Sequence, residues 1–248
     1  MGKLRLLVVL FAALCASACT TTSQVSHSGF RPPEGDYRLI VMQPDISVSL
    51  LTAGGALEFR EDWTEQARAN VIKALVSQQA QRGGVTKIAA TREETGADAT
   101  LVNDLVWLHS AVGQAIKLHK YSPARLPTKQ NAFDWTLGNS AVEFGAATQF
   151  EYALFLHAED SFSSGGRVAL QMAAMIGCGF GVCVMPPGGR QAAFASLVDL
   201  KTGQVVWFNT LASGVGDIRT PDGAAKMVGS LLDRMKPGRT QKQSTKRT

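Results

Sequence analysis

Cys178 and Cys183 close the run Cys-Gly-Phe-Gly-Val-Cys. In an oxidising compartment this spacing permits a small disulfide, and the glycines ease the tight turn; free buried thiols are the alternative. A zinc site would need a second ligand pair and a nearby histidine, and neither is present, so no metal is expected. His109 and His119 share one predicted helix, but their spacing of ten residues puts them on different sides of it. His157 stands on a predicted strand among apolar neighbours. All three read as half-buried structural histidines.

Glu58, Glu61, Asp62 and Glu65 cluster in sequence, and a carboxylate pair is what a glycan-cleaving enzyme needs. Such a pair must face itself across a cleft, however, and acids at a helix start are explained by the backbone dipole. A cell-wall hydrolase using Glu58, Glu61 and His157 therefore stands only as the enzymatic alternative. Gly177, Gly179 and Gly181 crowd together, but they follow an apolar helix-like run instead of a strand, and no Lys-Ser/Thr pair opens a helix after them. Neither the dinucleotide nor the P-loop pattern is met. No serine sits in Gly-x-Ser-x-Gly. The expectation is a protein that is not an enzyme, with no catalytic residues and no cofactor.

The run Val168 to Met185 contains Gln171 as its one polar side chain, with Arg167 and Arg190 beyond its ends. Its length barely allows a membrane helix, and the three glycines break helical continuity. Two readings follow: a buried helix with an apolar loop after it, or a segment that leaves the body to meet lipid or a neighbouring subunit. In the second, Val168, Met172, Met175, Ile176, Phe180 and Val182 are the contact residues.

The N-terminus supplies an address. Lys3 and Arg5 form a basic region, Leu6 to Leu14 an apolar core, and Ala16-Ser17-Ala18 lead into Cys19. The core is too short to span a bilayer and has the layout of a cleaved export signal. Its end resembles the lipobox of bacterial lipoproteins, although Ala16 stands where that pattern prefers Leu. The resemblance implies diacylglycerol and an amide-linked acyl chain on Cys19, a palmitate-bearing anchor; plain secretory cleavage is the alternative. One chain holds a protein reversibly and two or more hold it firmly. Thr20 stands where the resemblance would place Asp for inner-membrane retention, so the expected location is the outer membrane, facing the periplasm.

The chain has 248 residues and a formal charge of +5. Lys3 and Arg5 lie in the signal, and Lys236, Arg239, Lys242, Lys246 and Arg247 crowd the C-terminus. The body between them is near neutral, so no basic stripe for nucleic acid is expected. The expected division is signal 1–18, flexible tether 19–36, one domain 37–236, and a basic disordered tail 237–248.

Within the domain, Tyr37–Gln43, Ile46–Leu50, Val85–Ala90 and Tyr152–Ala158 read as strands. Ala192–Leu200 and Gln204–Leu211 flank Lys201-Thr-Gly203 as a hairpin. Helices are predicted from Asp62, over Ala97–His119, Thr136–Thr148 and Arg167–Ile176, and from Thr220-Pro221-Asp222. Strands alternating with helices argue for an α/β domain, a mixed β-sheet covered by helices.

Pro44-Asp45-Ile46, Thr52-Ala53-Gly54-Gly55 and Glu61-Asp62-Trp63-Thr64 with Ala67, taken together, resemble a group of proteobacterial lipoproteins. Leu197-Val198-Asp199-Leu200-Lys201-Thr202-Gly203-Gln204-Val205-Val206-Trp207 resembles the penultimate hairpin of the CsgG/LpoB/TolB-N-terminal-like class. That class implies a small α/β domain without catalytic residues that assembles with itself or with envelope proteins. The expected function is a lipid-anchored binding or assembly factor whose partners are outer-membrane lipid, envelope proteins and copies of itself. An oligomeric secretion or export channel component is the alternative.

Overall fold

The computed structural model describes residues 21–26, 30, 37–79, 85–89, 91–124, 126–129, 132–212 and 214–235. The export signal, Cys19 and the basic C-terminal residues lie outside them. One mixed sheet of eight strands runs through the described residues, with helices on both faces.

Its centre is β6 (Tyr152–Ser163), where every residue from Ala153 to Ala158 is buried. A strand covered on both faces has no polar side, which is why this segment reads as a continuous apolar run. β7 (Gln191–Asp199) and β8 (Val205–Ala212) continue the sheet antiparallel from one side of β6. On the other side lie β2 (Arg38–Val41) and β3 (Asp45–Leu51), both parallel to β6, one after the other along its length. β5 (Val85–Ile88) flanks β2, and the short β4 (Leu57–Phe59) flanks β3. In β3, Ile46 and Val48 are buried as the alternation predicts, but the phase slips at the end and Leu51 is buried in place of Leu50.

The hairpin between β7 and β8 turns at Gly203, whose φ is +72°. A side chain there would also meet the carbonyl oxygen of Gly138 at 2.4 Å. That close approach lets the Gly203 carbonyl accept from the backbone of Leu137 and the hydroxyl of Thr136.

Helices α1 (Glu61–Gln79) and α5 (Pro221–Leu232) cover one face, packing Ala67, Val71, Leu75, Met227, Val228 and Leu231 onto Leu154, Leu156 and Leu197. Thr220 caps α5 by accepting from the Gly223 amide, with Pro221 in the first turn, as its sequence predicts. Helices α2 (Ala99–Tyr121) and α3 (Gly138–Thr148) cover the other face through Val102, Leu105, Ile116, Ala141 and Phe144. The remaining helix, α4 (Gly165–Gly179), belongs to neither layer.

The expected tether behaves differently in part. Thr21–Ser26 forms β1, antiparallel to β8 along its outer edge, with Thr21 opposite Ala212 and Ser26 opposite Trp207. Without it the edge of β8 would offer a row of unpaired amides and carbonyls, and a Thr/Ser/Val segment suits that edge. The sheet thus begins sixteen residues before Tyr37, at Thr21.

Candidate functional site

Polar groups of catalytic type are held inside the fold. Under α2, Nε2 of His109 is 2.8 Å from Oγ of Ser196, and the imidazole stacks on Phe155. Ser196 is 1% exposed and His109 2%, so this pair cannot meet a substrate. Burial pushes the His109 pKa down to about 3, and it is neutral.

His157, on the same face of β6 as Phe155, places Nδ1 2.8 Å from Asp45 and Nε2 3.2 Å from Glu159, and stacks on Phe194. Burial opposes charge on this imidazole. The hydrogen bonds and charges of Asp45 and Glu159 outweigh it and raise the pKa. The hydrogen bond from His157 in turn lowers that of Asp45. His119 lies apart, its Nδ1 2.6 Å from the Ala124 carbonyl oxygen.

The acidic cluster is dispersed. Glu58 sits on β4, exposed, while Glu61 and Asp62 open α1. Asp62 is gripped by Arg60, whose Nε and Nη2 donate to its two oxygens at 3.0 and 2.8 Å. The same guanidinium lies 4.3 Å over the ring of Trp63, which meets Phe162 edge-on. Arg219 completes the stack, 3.7 Å from the Phe162 centroid and doubly bonded to Asp217. This cation–aromatic stack escaped the sequence reading because its members are scattered from residue 60 to 219. No group of three metal-ligating side chains occurs among the described residues.

One end of the sheet is built differently. The C-terminal end of β6, the start of β7, the end of β8 and the start of β1 meet there: Glu159 is opposite Ala192, Ala192 opposite Ala212, and Ala212 opposite Thr21. From this end α4 leaves after Ser163 and the chain returns at Gln191, forming an arm. Ser164 caps α4 by accepting from the Arg167 amide. Arg167 is the one buried residue of α4. Its guanidinium binds the carbonyls of Pro187 and Ala53, locking both limbs of the arm to the β3–β4 turn. Gln171 donates to the Pro186 carbonyl one turn further out. At the root, the Gly189 amide donates to Ser163 Oγ and the Arg190 amide to Ser161 Oγ.

Beyond Gln171 the arm is apolar and open. The reading of Val168–Met185 as a buried helix with a loop is overturned: Val168, Met172, Met175, Ile176, Phe180 and Val182 are all exposed, Phe180 by 85%. A helix apolar all round signals only that it avoids water, not what replaces water, so sequence could not choose between the readings. The tip turns at Phe180-Gly181, where the Phe180 and Val182 amides donate to the Gly177 carbonyl and the Gly181 amide to that of Cys178. Cys178 and Cys183 are joined in a disulfide across this turn. None of the described helices is long and apolar enough to cross a membrane.

No protein-family model matches the sequence, and no curated protein matches it. Among solved structures, the chain is similar to two PelC dodecamers from Paraburkholderia phytofirmans. The first is a point variant with 13% identity and a TM-score of 0.41, covering 89% of this chain and 100% of that one. The second has 15% identity and a TM-score of 0.37, covering 89% and 99%. The LpoB C-terminal domain from Salmonella enterica aligns at 15% identity and a TM-score of 0.25, covering 70% and 80%. Likeness at this level leaves the chemistry of this chain to be read from its own residues.

Proposed function

We propose that this chain is a non-enzymatic, lipid-anchored envelope protein, a binding or assembly factor held at the periplasmic face of the outer membrane through Cys19. The observation that carries the reading is the N-terminal sequence, with Lys3 and Arg5, the apolar run Leu6 to Leu14, and Ala16-Ser17-Ala18 before Cys19. Thr21 is two residues after Cys19, and two residues of chain reach at most about 7 Å. The acyl chains on Cys19 therefore attach close to the arm-bearing end of the sheet. On this reading a short link hangs the domain from the membrane by the arm-bearing end of its sheet. Ser196 and His109 are buried as a structural pair in the core, and His157 is tied to Asp45 and Glu159.

The test is fractionation of cells making either the native chain or Cys19→Ala behind a plain cleaved secretory signal. The native chain is expected in washed outer membranes and the variant in the soluble periplasm. A variant that stays in washed membranes as fully as the native chain would refute anchoring at Cys19.

A second reading, self-assembly, is supported by Trp107 and Leu118. Both are exposed, Trp107 by 72%, and at this spacing they share the outer face of α2. Concentration-dependent cross-linking that disappears in Trp107→Glu would support it.

A further inference from the structure

We infer that the arm of residues 165–190 is a second membrane contact, which sinks its apolar tip into the leaflet that holds the acyl chains on Cys19. The inference rests on the anchoring reading above and assigns the bilayer, not a second protein, as what covers the arm.

Three observations converge on lipid. The first is position. Glu159, Ala192, Ala212 and Thr21 lie side by side, three strand spacings or about 14 Å from the arm's root to the strand that leads back to Cys19. Anchor and arm thus leave the same end of the sheet.

The second is length. The fifteen residues of α4 rise about 22 Å, and a single leaflet has about 15 Å of hydrocarbon. The arm reaches into one leaflet and returns, which suits a contact from one side and not a span.

The third is how its polar groups are satisfied. At the base, Arg167 and Gln171 bond the returning carbonyls of Pro187 and Pro186, and exposed Arg190 stands where head groups would lie. At the tip, the turn amides of Phe180, Gly181 and Val182 are bonded within the arm, and the disulfide replaces two thiols with an apolar bridge. The turn amides meet the rule that backbone entering lipid be bonded internally, whereas the amides of Cys183, Val184 and Met185 on the returning limb have no bond within the arm and take theirs from water or lipid head groups. Side chains are apolar on every side of the outer half of α4, as a surrounding solvent of acyl chains requires, whereas a docking helix needs one apolar face.

The test uses the full acylated chain, purified in detergent and reconstituted in phosphatidylethanolamine–phosphatidylglycerol vesicles, with mass spectrometry confirming the acyl chains. An environment-sensitive dye on Ile176→Cys is expected to emit to the blue and to be quenched by nitroxides on the lipid acyl chains. The same dye on Val76→Cys, exposed on α1, is expected to stay unquenched. In a chain with Cys19→Ala, the combination Met172→Gln, Met175→Gln, Ile176→Gln and Phe180→Gln is expected to weaken vesicle binding about a hundredfold, with an unchanged melting temperature. An acylated protein whose dye at 176 stays unquenched overturns the inference and leaves the anchor standing. Dye shielding at 176 without quenching, together with cross-links between copies, also overturns it, in favour of a second copy. Absence of acyl chains on Cys19 sinks the anchoring reading instead, and is read separately.

Discussion

Nδ1 of His157 and Oδ2 of Asp45 lie 2.8 Å apart, joining two strands whose positions differ by 112 residues. His157 has a raised pKa, so its stabilisation is complete below its ordinary 6.5 and is lost as pH rises through the folded value. Asp45 has a lowered pKa, so its share is present above its ordinary 3.8 and is lost as pH falls through the folded value. His109 runs the other way from His157: an imidazole kept neutral down to about 3 loses stability as pH falls below 6.5. The difference between native chain and variant isolates the pair. His157→Gln is expected to cost about 1–2 kcal/mol near pH 6, allowing for the part-exposed Asp45, and less near pH 8.5. Urea unfolding at both values measures it, and equal losses would contradict the pairing.

Gly113 of α2 sits where a side chain would meet the ring of Phe194 at 2.0 Å. In an isolated helix Gly→Ala gains about 1 kcal/mol. Here the ring is enclosed by His109, His157 and Phe208 and cannot withdraw. Gly113→Ala is therefore expected to destabilise by about 1–3 kcal/mol, whereas Gly179→Ala, with nothing within 4 Å, is expected to be neutral or better. Thermal melts of the two variants check the contrast.

Asp160 is buried, and burial lifts its pKa to about 6 although Gln191 donates to it at 2.7 Å. A raised carboxyl value means the native state holds a proton that the unfolded chain releases above 3.8, so stability falls as pH rises through that window. Asp160→Asn keeps an acceptor for Gln191 and removes the charge. It is expected to be about 1–3 kcal/mol more stable than the native chain at pH 7.5 and close to it at pH 4. Denaturant unfolding at the two values decides.

The disulfide closes a turn at the tip of an arm that touches the core only at its base. Cys178→Ser with Cys183→Ser is expected to leave the cooperative melting temperature unchanged, because the sheet and its two helical layers do not involve it. Limited proteolysis is expected to cut residues 177–185 faster in the variant. A lowered melting temperature would show that the arm packs on the body.

Much of this fold was legible because apolar spacing records burial. β6, β7, β8, α2 and α5 all follow from it, and the Gly203 turn from the one residue able to adopt its φ without strain. β1 and β4 were not, since edge strands are polar or short and take their partner from across the chain. The end of β6, Glu159–Ser163, escaped for a related reason: apart from Phe162 its side chains are polar. At the candidate site, apolarity marked the arm, but the bonds of Arg167 to Ala53 and Pro187 depend on tertiary geometry that no local pattern records.

Under the proposed anchoring, Cys19 fixes the domain to the outer membrane beside its apolar arm. Mass spectrometry of the N-terminal peptide, taken from washed outer membranes of cells producing the native chain, tests it most directly. The expected product is a chain beginning at Cys19 and carrying a diacylglyceryl thioether with an amide-linked acyl chain. An unmodified N-terminus on protein recovered in the soluble periplasm would contradict it.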